Sequence, residues 1–294
     1  MAMMRKAPTT LARRHLGRKL RELRLQAGMS IVDAARHIER GAGTLQRLEM
    51  GETPRIRLVD VRALCELFDA LDELDDMLEL ARVAADSEDG RWWNEFDLDI
   101  REDFRLYVGL ERAAGKLTIF RPDICPGLFQ TAAYAKALDT NFRPNASSED
   151  RDQRIQIKLN RQRIYTRKRN PVAVDLIVDE AVLRRVVGNG RVMARQLRYL
   201  ADAPPNVTVQ VLPFVRGYPL GLAPGPFVVL EFDKAVSEPP TVFVEGFRGN
   251  LYYDRPDAVQ QYREAVLMLH RAALSPTDSK RFLRELAREY DNGR

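Results

Sequence analysis

Cysteine and histidine are scarce in this 294-residue chain, which holds Cys65 and Cys125 and, scattered along it, His15, His37 and His270. Two lone thiols make neither a disulfide framework nor a paired metal motif, and they fit a reducing cytoplasm. Scattered histidines argue against a histidine-held metal and against a Ser/His or Cys/His relay. No apolar run approaches the roughly 20 residues that span a bilayer. The basic start, MAMMRKAPTT, is not followed by the apolar stretch of a secretory signal. These absences set aside a membrane protein, a secreted disulfide scaffold and a metalloenzyme, and nothing implies a cofactor.

What is present is ordinary in bulk and uneven in distribution. The length predicts about two domains, and 45% apolar with 30% charged residues is usual for a globular chain. Residues 1–57 carry a net charge of +8, whereas residues 58–120 carry −10. Such an asymmetry points to an anionic partner for the first segment, or else to a solvated basic helix face.

Helical periodicity organises that segment. Leu11, Leu16, Leu20 and Leu23 mark a first helix stopped by Gly28. Ser30 is an N-cap for IVDAARHI, with Asp33 as its capping-box partner and Ala34, Ala35 and Ile38 on the buried side. After a turn at Glu39-Arg40 comes a third helix ending at Gly51. At about 100° per residue, its Leu45 and Leu48 share one face, and Ala42, Gly43, Gln46, Arg47 and Met50 share the other. A fourth helix turns Leu58, Val61, Leu64, Cys65 and Phe68 inward, and LDELDDMLELARVAAD makes a fifth. Five short helices with a small-residue contact between the second and third are what a helix-turn-helix domain requires.

The run LRELRLQAGMSIVDAARHIERGAGTLQRLEMGE resembles the N-terminal domain of XRE-type regulators, through its AGMS junction, Ala35 and the pattern at Leu45, Arg47, Leu48, Glu49 and Gly51. Two positions depart from that family. Ile31 stands where a phosphate-holding Gln is usual. Glu39 stands where the turn normally has Gly, with Gly41 two residues later expected to let the turn redistribute.

The rest of the chain alternates strand and helix signals. Strands are predicted at KLTIFRP, residues 172–178, 207–214, 227–232 and 241–247, and helices at LFQTAAYAKAL, 147–167, DEAVLRRVV, VMARQLRYLAD, 256–274 and after Ser275. The fold class is therefore α+β: an all-α five-helix domain over residues 1–85, then a larger domain over 86–294 with a sheet of roughly five strands. The motifs GRWW, CPGLFQTAAYA, LNRQRIY, IVDEAVLRRVVG, QLRYL and VTVQVLPF resemble an actinobacterial, WhiJ-like family. Its members join an XRE-type module to an antitoxin-like domain. The resemblance implies transcriptional regulation, a small partner protein encoded nearby, and no known enzymatic activity.

Base edges in double-stranded DNA are read by hydrogen bonds, and phosphate contacts set the register. Arg47 is the candidate for a guanine and Gln46 for an adenine or phosphate. Ala42 suits a thymine methyl, Gly43 permits close approach, and Thr44 reaches phosphate beside the helix N-terminus. Arg40, Arg55 and Arg57 flank the helix for further phosphates. Glu49 is expected to orient an arginine. One helix reads few base pairs, so a homodimer is expected, with Val259, Tyr262, Val266, Leu269, Leu283 and Leu286 supplying its interface or covering the sheet. The loop from Gly217 to Pro226, with Tyr218 and Leu222, is either a gate over a ligand site or a long hairpin connection. Trp92-Trp93 reads as a linker anchor, or else as a stacking platform. Asp179-Glu180 and Cys125 are the weak case for catalysis. The leading reading is a cytoplasmic DNA-binding regulator that receives a protein partner or ligand. Its rival is an antitoxin-like protein that mainly restrains its partner and autoregulates.

Overall fold

The computed structural model describes residues 11–53, 55–86, 102–233, 238–247 and 249–293. The Trp92-Trp93 pair lies outside the described residues. The chain forms two compact units, the division among described residues falling between Leu110 and Glu111. The boundary expected at residue 85 instead coincides with the end of a helix of the first unit.

The first unit holds α1 (Leu11–Gln26), α2 (Ile31–His37), α3 (Ala42–Glu49), α4 (Leu58–Leu67), a 3-10 turn (Leu71–Glu73) and α5 (Leu74–Asp86). Gly28, at φ +67°, closes α1, and Met29 N–H returns to the Arg24 carbonyl at 3.0 Å. Ser30 Oγ accepts from Asp33 N–H at 3.1 Å, so the predicted cap forms. Leu16, Leu20, Ala34, Ala35, Leu45, Val61 and Leu64 meet in one core. Leu58, expected inward, is 37% exposed at the first position of α4. Ile56, from the preceding loop, supplies a buried side chain near that end of the helix instead.

α6 (Glu102–Ala113) leads into a six-stranded sheet ordered β3-β2-β1-β4-β5-β6. Its strands are β1 (Lys116–Arg121), β2 (Ala173–Asp179), β3 (Val207–Leu212), β4 (Phe227–Glu231), β5 (Thr241–Val244) and β6 (Leu251–Tyr253). β1, β2 and β3 are mutually parallel, and β4 to β6 continue antiparallel. A parallel sheet is covered on both faces, which is why β1 and β2 read as nearly unbroken apolar runs.

α7 (Ala132–Phe142), α8 (Ser148–Arg161) and α9 (Arg163–Thr166) connect β1 to β2, and α10 (Glu180–Arg184) and α11 (Gly190–Ala201) connect β2 to β3. α12 (Pro256–Ala272) and α13 (Pro276–Asp291) follow the sheet. Phe120, Ile177, Phe227 and Val242 form a core with Val259 and Leu269 of α12.

Three expectations change. β6 adds a sixth strand, too short and too close to Gly249-Asn250 to carry a pattern of its own. The helix expected from Leu128 begins at Ala132, where Thr131 Oγ accepts from Tyr134 N–H at 3.4 Å. α10 stops at Arg184, because Arg185 is extended and cannot continue it.

Candidate nucleic-acid interface

α2 and α3 are joined by a turn in which Glu39 takes φ +55°. Its N–H bonds the Arg36 carbonyl at 3.0 Å, and Arg40 N–H bonds the Ala35 carbonyl at 2.8 Å. Gly41 does not relieve it. That residue is extended, at φ −74° and ψ 146°, and serves as the N-cap of α3. The strain stays on Glu39.

On α3 the buried residues are Leu45, Leu48 and Glu49. Gly43, Gln46, Arg47 and Met50 are exposed, and Ala42 and Thr44 are half-buried. The Arg47 side chain runs back toward the start of the helix, donating to Thr44 Oγ1 at 3.3 Å. A Cβ built on Gly43 would lie 3.7 Å from the Arg47 guanidinium. Among the described residues Arg47 has no acidic partner, so its cation stands at the N-terminal end of α3.

Of the acids nearby, Glu49 and Asp60 are occupied, whereas Glu39 in the turn is exposed and makes no ion pair among the described residues. Glu49 accepts from Arg24 at 2.6 and 2.9 Å in a buried bidentate pair, and Arg24 also donates to the Met29 carbonyl at 2.9 Å. That pair ties the end of α3 to α1, which is the orienting role expected of Glu49, and it raises the Arg24 pKa further. Asp60 is shared by Arg40 at 3.3 Å and Arg57 at 3.7 Å. Arg55 is exposed with no ion pair among the described residues. The eight candidate residues thus fall on α3 and its flanks, with Arg47 and Arg55 lacking an acidic partner among the described residues and Arg40 and Arg57 sharing one carboxylate. Ile31 packs half-buried against the core and offers nothing to a phosphate.

Sequence reasoning missed Gly17. A Cβ there would lie 2.5 Å from the Leu48 and Glu49 carbonyl oxygens. Gly51, at φ +69°, likewise brings its backbone against Arg14. The end of α3 therefore meets α1 backbone to backbone, and nothing in a leucine pattern signals that contact.

In the second unit, Val259, Leu269, Leu283 and Leu286 are buried within the chain itself. They cover the sheet and neighbouring helices. The Gly217–Pro226 loop is not a hairpin connection, since β2 and β1 lie between β3 and β4 and the chain must pass their ends. Tyr218 and Leu222 are exposed on it, while Leu220 packs against the core. Asp179 caps α10 by accepting from Ala181 N–H at 2.8 Å. Glu180 accepts from Arg184 and from Phe214 N–H. The Cys125 thiol is buried, and burial pushes its pKa up to about 12.

Residues 15–78 match the model of a helix-turn-helix domain. The class is thereby a protein with a DNA-binding helix-turn-helix module ahead of an α+β domain. Residues 104–285 match a domain of unknown function, DUF5753, and since this is more than half of the chain, the protein belongs to that family. No curated protein and no solved structure matches it.

Proposed function

We propose that the chain is a sequence-specific transcriptional regulator of the XRE type. In this reading it binds double-stranded DNA as a homodimer in the cytoplasm, and its second unit makes the dimer and receives a small protein partner or ligand. The observation that carries it is the arrangement of charge around α3. Arg47 is exposed beside Gly43 and Gln46 with no carboxylate on it among the described residues, while Glu49 is neutralised by Arg24 and Asp60 by Arg40 and Arg57. On α3 itself, a surface of that kind presents an unpaired cation and no unpaired carboxylate to the phosphate-lined major groove. Arg47 reads a guanine, Gln46 an adjacent base, and Arg55 with the first N–H groups of α3 holds phosphate. The WhiJ-like resemblance supports the protein partner.

The reading assigns no catalysis. The Asp179 carboxylate is engaged as a helix cap, and a thiol that stays protonated is a poor nucleophile.

Fluorescence anisotropy on the chain's own upstream DNA and on scrambled DNA tests it. About six neutralised phosphates give a loss of roughly 10³-fold between ~50 and ~200 mM salt. Arg47→Ala weakens specific binding by about 5–150-fold while leaving scrambled DNA nearly unaffected. Equal binding of the wild type to both DNAs would overturn the assignment.

A further inference from the structure

The segment that leaves β3 turns its large apolar side chains outward. Phe214, Val215 and Tyr218 are 55%, 88% and 76% exposed, and Leu222 is exposed as well. The segment is nevertheless held in shape. Gly217 N–H bonds the Phe214 carbonyl and Gly221 N–H the Tyr218 carbonyl, both at 2.9 Å, and Leu220 packs against the core. Phe214 N–H also donates to the Glu180 carboxylate at 2.9 Å, and Arg184 binds that carboxylate at 2.6 Å, so the segment is tied to α10. Arg185 and Val186, both exposed, lie within two residues of that tie. Large apolar side chains gathered at a surface mark an interaction site.

Charge says what covers it. Between Ala181 and Pro226 the chain has six arginines and one acid, Asp202. Asp202 accepts from Arg284 at 2.8 Å, and Glu180 and Glu289 both face Arg184, at 2.6 and 3.8 Å. Arg185 and Arg216 are exposed and make no ion pair among the described residues. The surface is therefore apolar with uncompensated positive charge. A second copy of it would set arginine against arginine. A bilayer anchor needs an apolar tip that projects, whereas Leu220 holds this segment down. Acidic residues set among apolar ones complement the surface in both respects.

We infer that the surface formed by Arg185, Val186 and residues 214–222 docks a linear segment of a partner protein in which acidic residues alternate with large apolar ones. Tyr218 and Phe214 supply the apolar anchor, and Arg185 and Arg216 select for carboxylates. The inference rests on the partner-binding part of the function proposed above and gives it a place. It does not rest on DNA binding, and its test contains no DNA, so either can fail while the other stands.

The probe is the capped peptide acetyl-Glu-Phe-Asp-Leu-Glu-Trp-Asp-amide, titrated into the full ¹⁵N-labelled chain and followed by amide resonances. It shifts those of Val215, Arg216 and Tyr218 saturably, with a dissociation constant of about 0.1 mM. Arg185→Glu combined with Arg216→Glu weakens binding about tenfold, and so does Tyr218→Ser. These positions are exposed, and an unchanged thermal midpoint shows that each variant is folded. The peptide with lysine for every acid does not bind, nor does the one with serine for every apolar residue. No saturable shift at these residues, or an unchanged affinity in either variant, overturns the inference. Equal binding of the serine peptide overturns the apolar anchor. Binding of phosphatidylserine vesicles without binding of the peptide assigns the surface to a membrane instead, and shifts of the same resonances on concentrating the chain alone assign it to a second copy; either result overturns the partner segment.

Discussion

Glu39 occupies left-handed backbone that an L side chain enters at a cost of about 1–2 kcal/mol. Glycine there would remove that cost and return about 0.4–1 kcal/mol to the unfolded chain as entropy. Glu39→Gly should therefore stabilise the first unit by about 0.5–1 kcal/mol, read as a higher midpoint in urea with an unchanged slope. An unchanged or lower midpoint would mean that the Glu39 carboxylate makes a compensating contact. At this scale the sequence was partly readable. Helical period alone places Gln46 and Arg47 outward and Leu45 and Leu48 inward, because it fixes angles within one helix. It says nothing of Asp60 holding Arg40, since those residues come from α3's flank and α4 and meet only in the folded unit.

Between elements, the α1–α3 contact depends on an absent side chain. Gly17→Ala would drive a methyl into the Leu48 and Glu49 carbonyls at a site where backbone, not a flexible side chain, is the obstacle. Its cost should be about 1–3 kcal/mol of overpacking, reduced by the better helix propensity of alanine. Gly109→Ala in α6, where a Cβ meets open space, should instead gain about 1 kcal/mol. Thermal melts of the two variants, moving in opposite directions, check the contact against propensity. The five longer strands were legible because each is a run of β-branched and aromatic residues bounded by turn signals. β6 was not, since three residues carry no period. The early end of α10 was hidden because Arg185 and Val186 are acceptable helix formers and carry no stop signal, although Arg185 is extended.

Across the whole molecule, both thiols sit in cores, and burial raises Cys65 to about 11 and Cys125 to about 12 from an ordinary 9.0. Each folded unit thus holds a thiol protonated where the unfolded chain would ionise it. The resulting stability is complete below about pH 9 and is lost as pH rises toward those values. Cys125→Ala should flatten the alkaline decline of the second unit by up to about 1.4 kcal/mol per pH unit between pH ~9 and ~12. Urea titrations across that range measure the slope, and an identical slope in the variant would show that other groups govern it. The strand order has a different consequence, in time. β1 sits in the middle of the sheet, and its neighbour β4 begins at Phe227, more than a hundred residues later. At a synthesis rate of ~5–20 residues per second, β1 waits roughly 5–20 s on the ribosome with one flank bare. During nascent-chain growth, that apolar strand is where a chaperone would be expected to hold this protein.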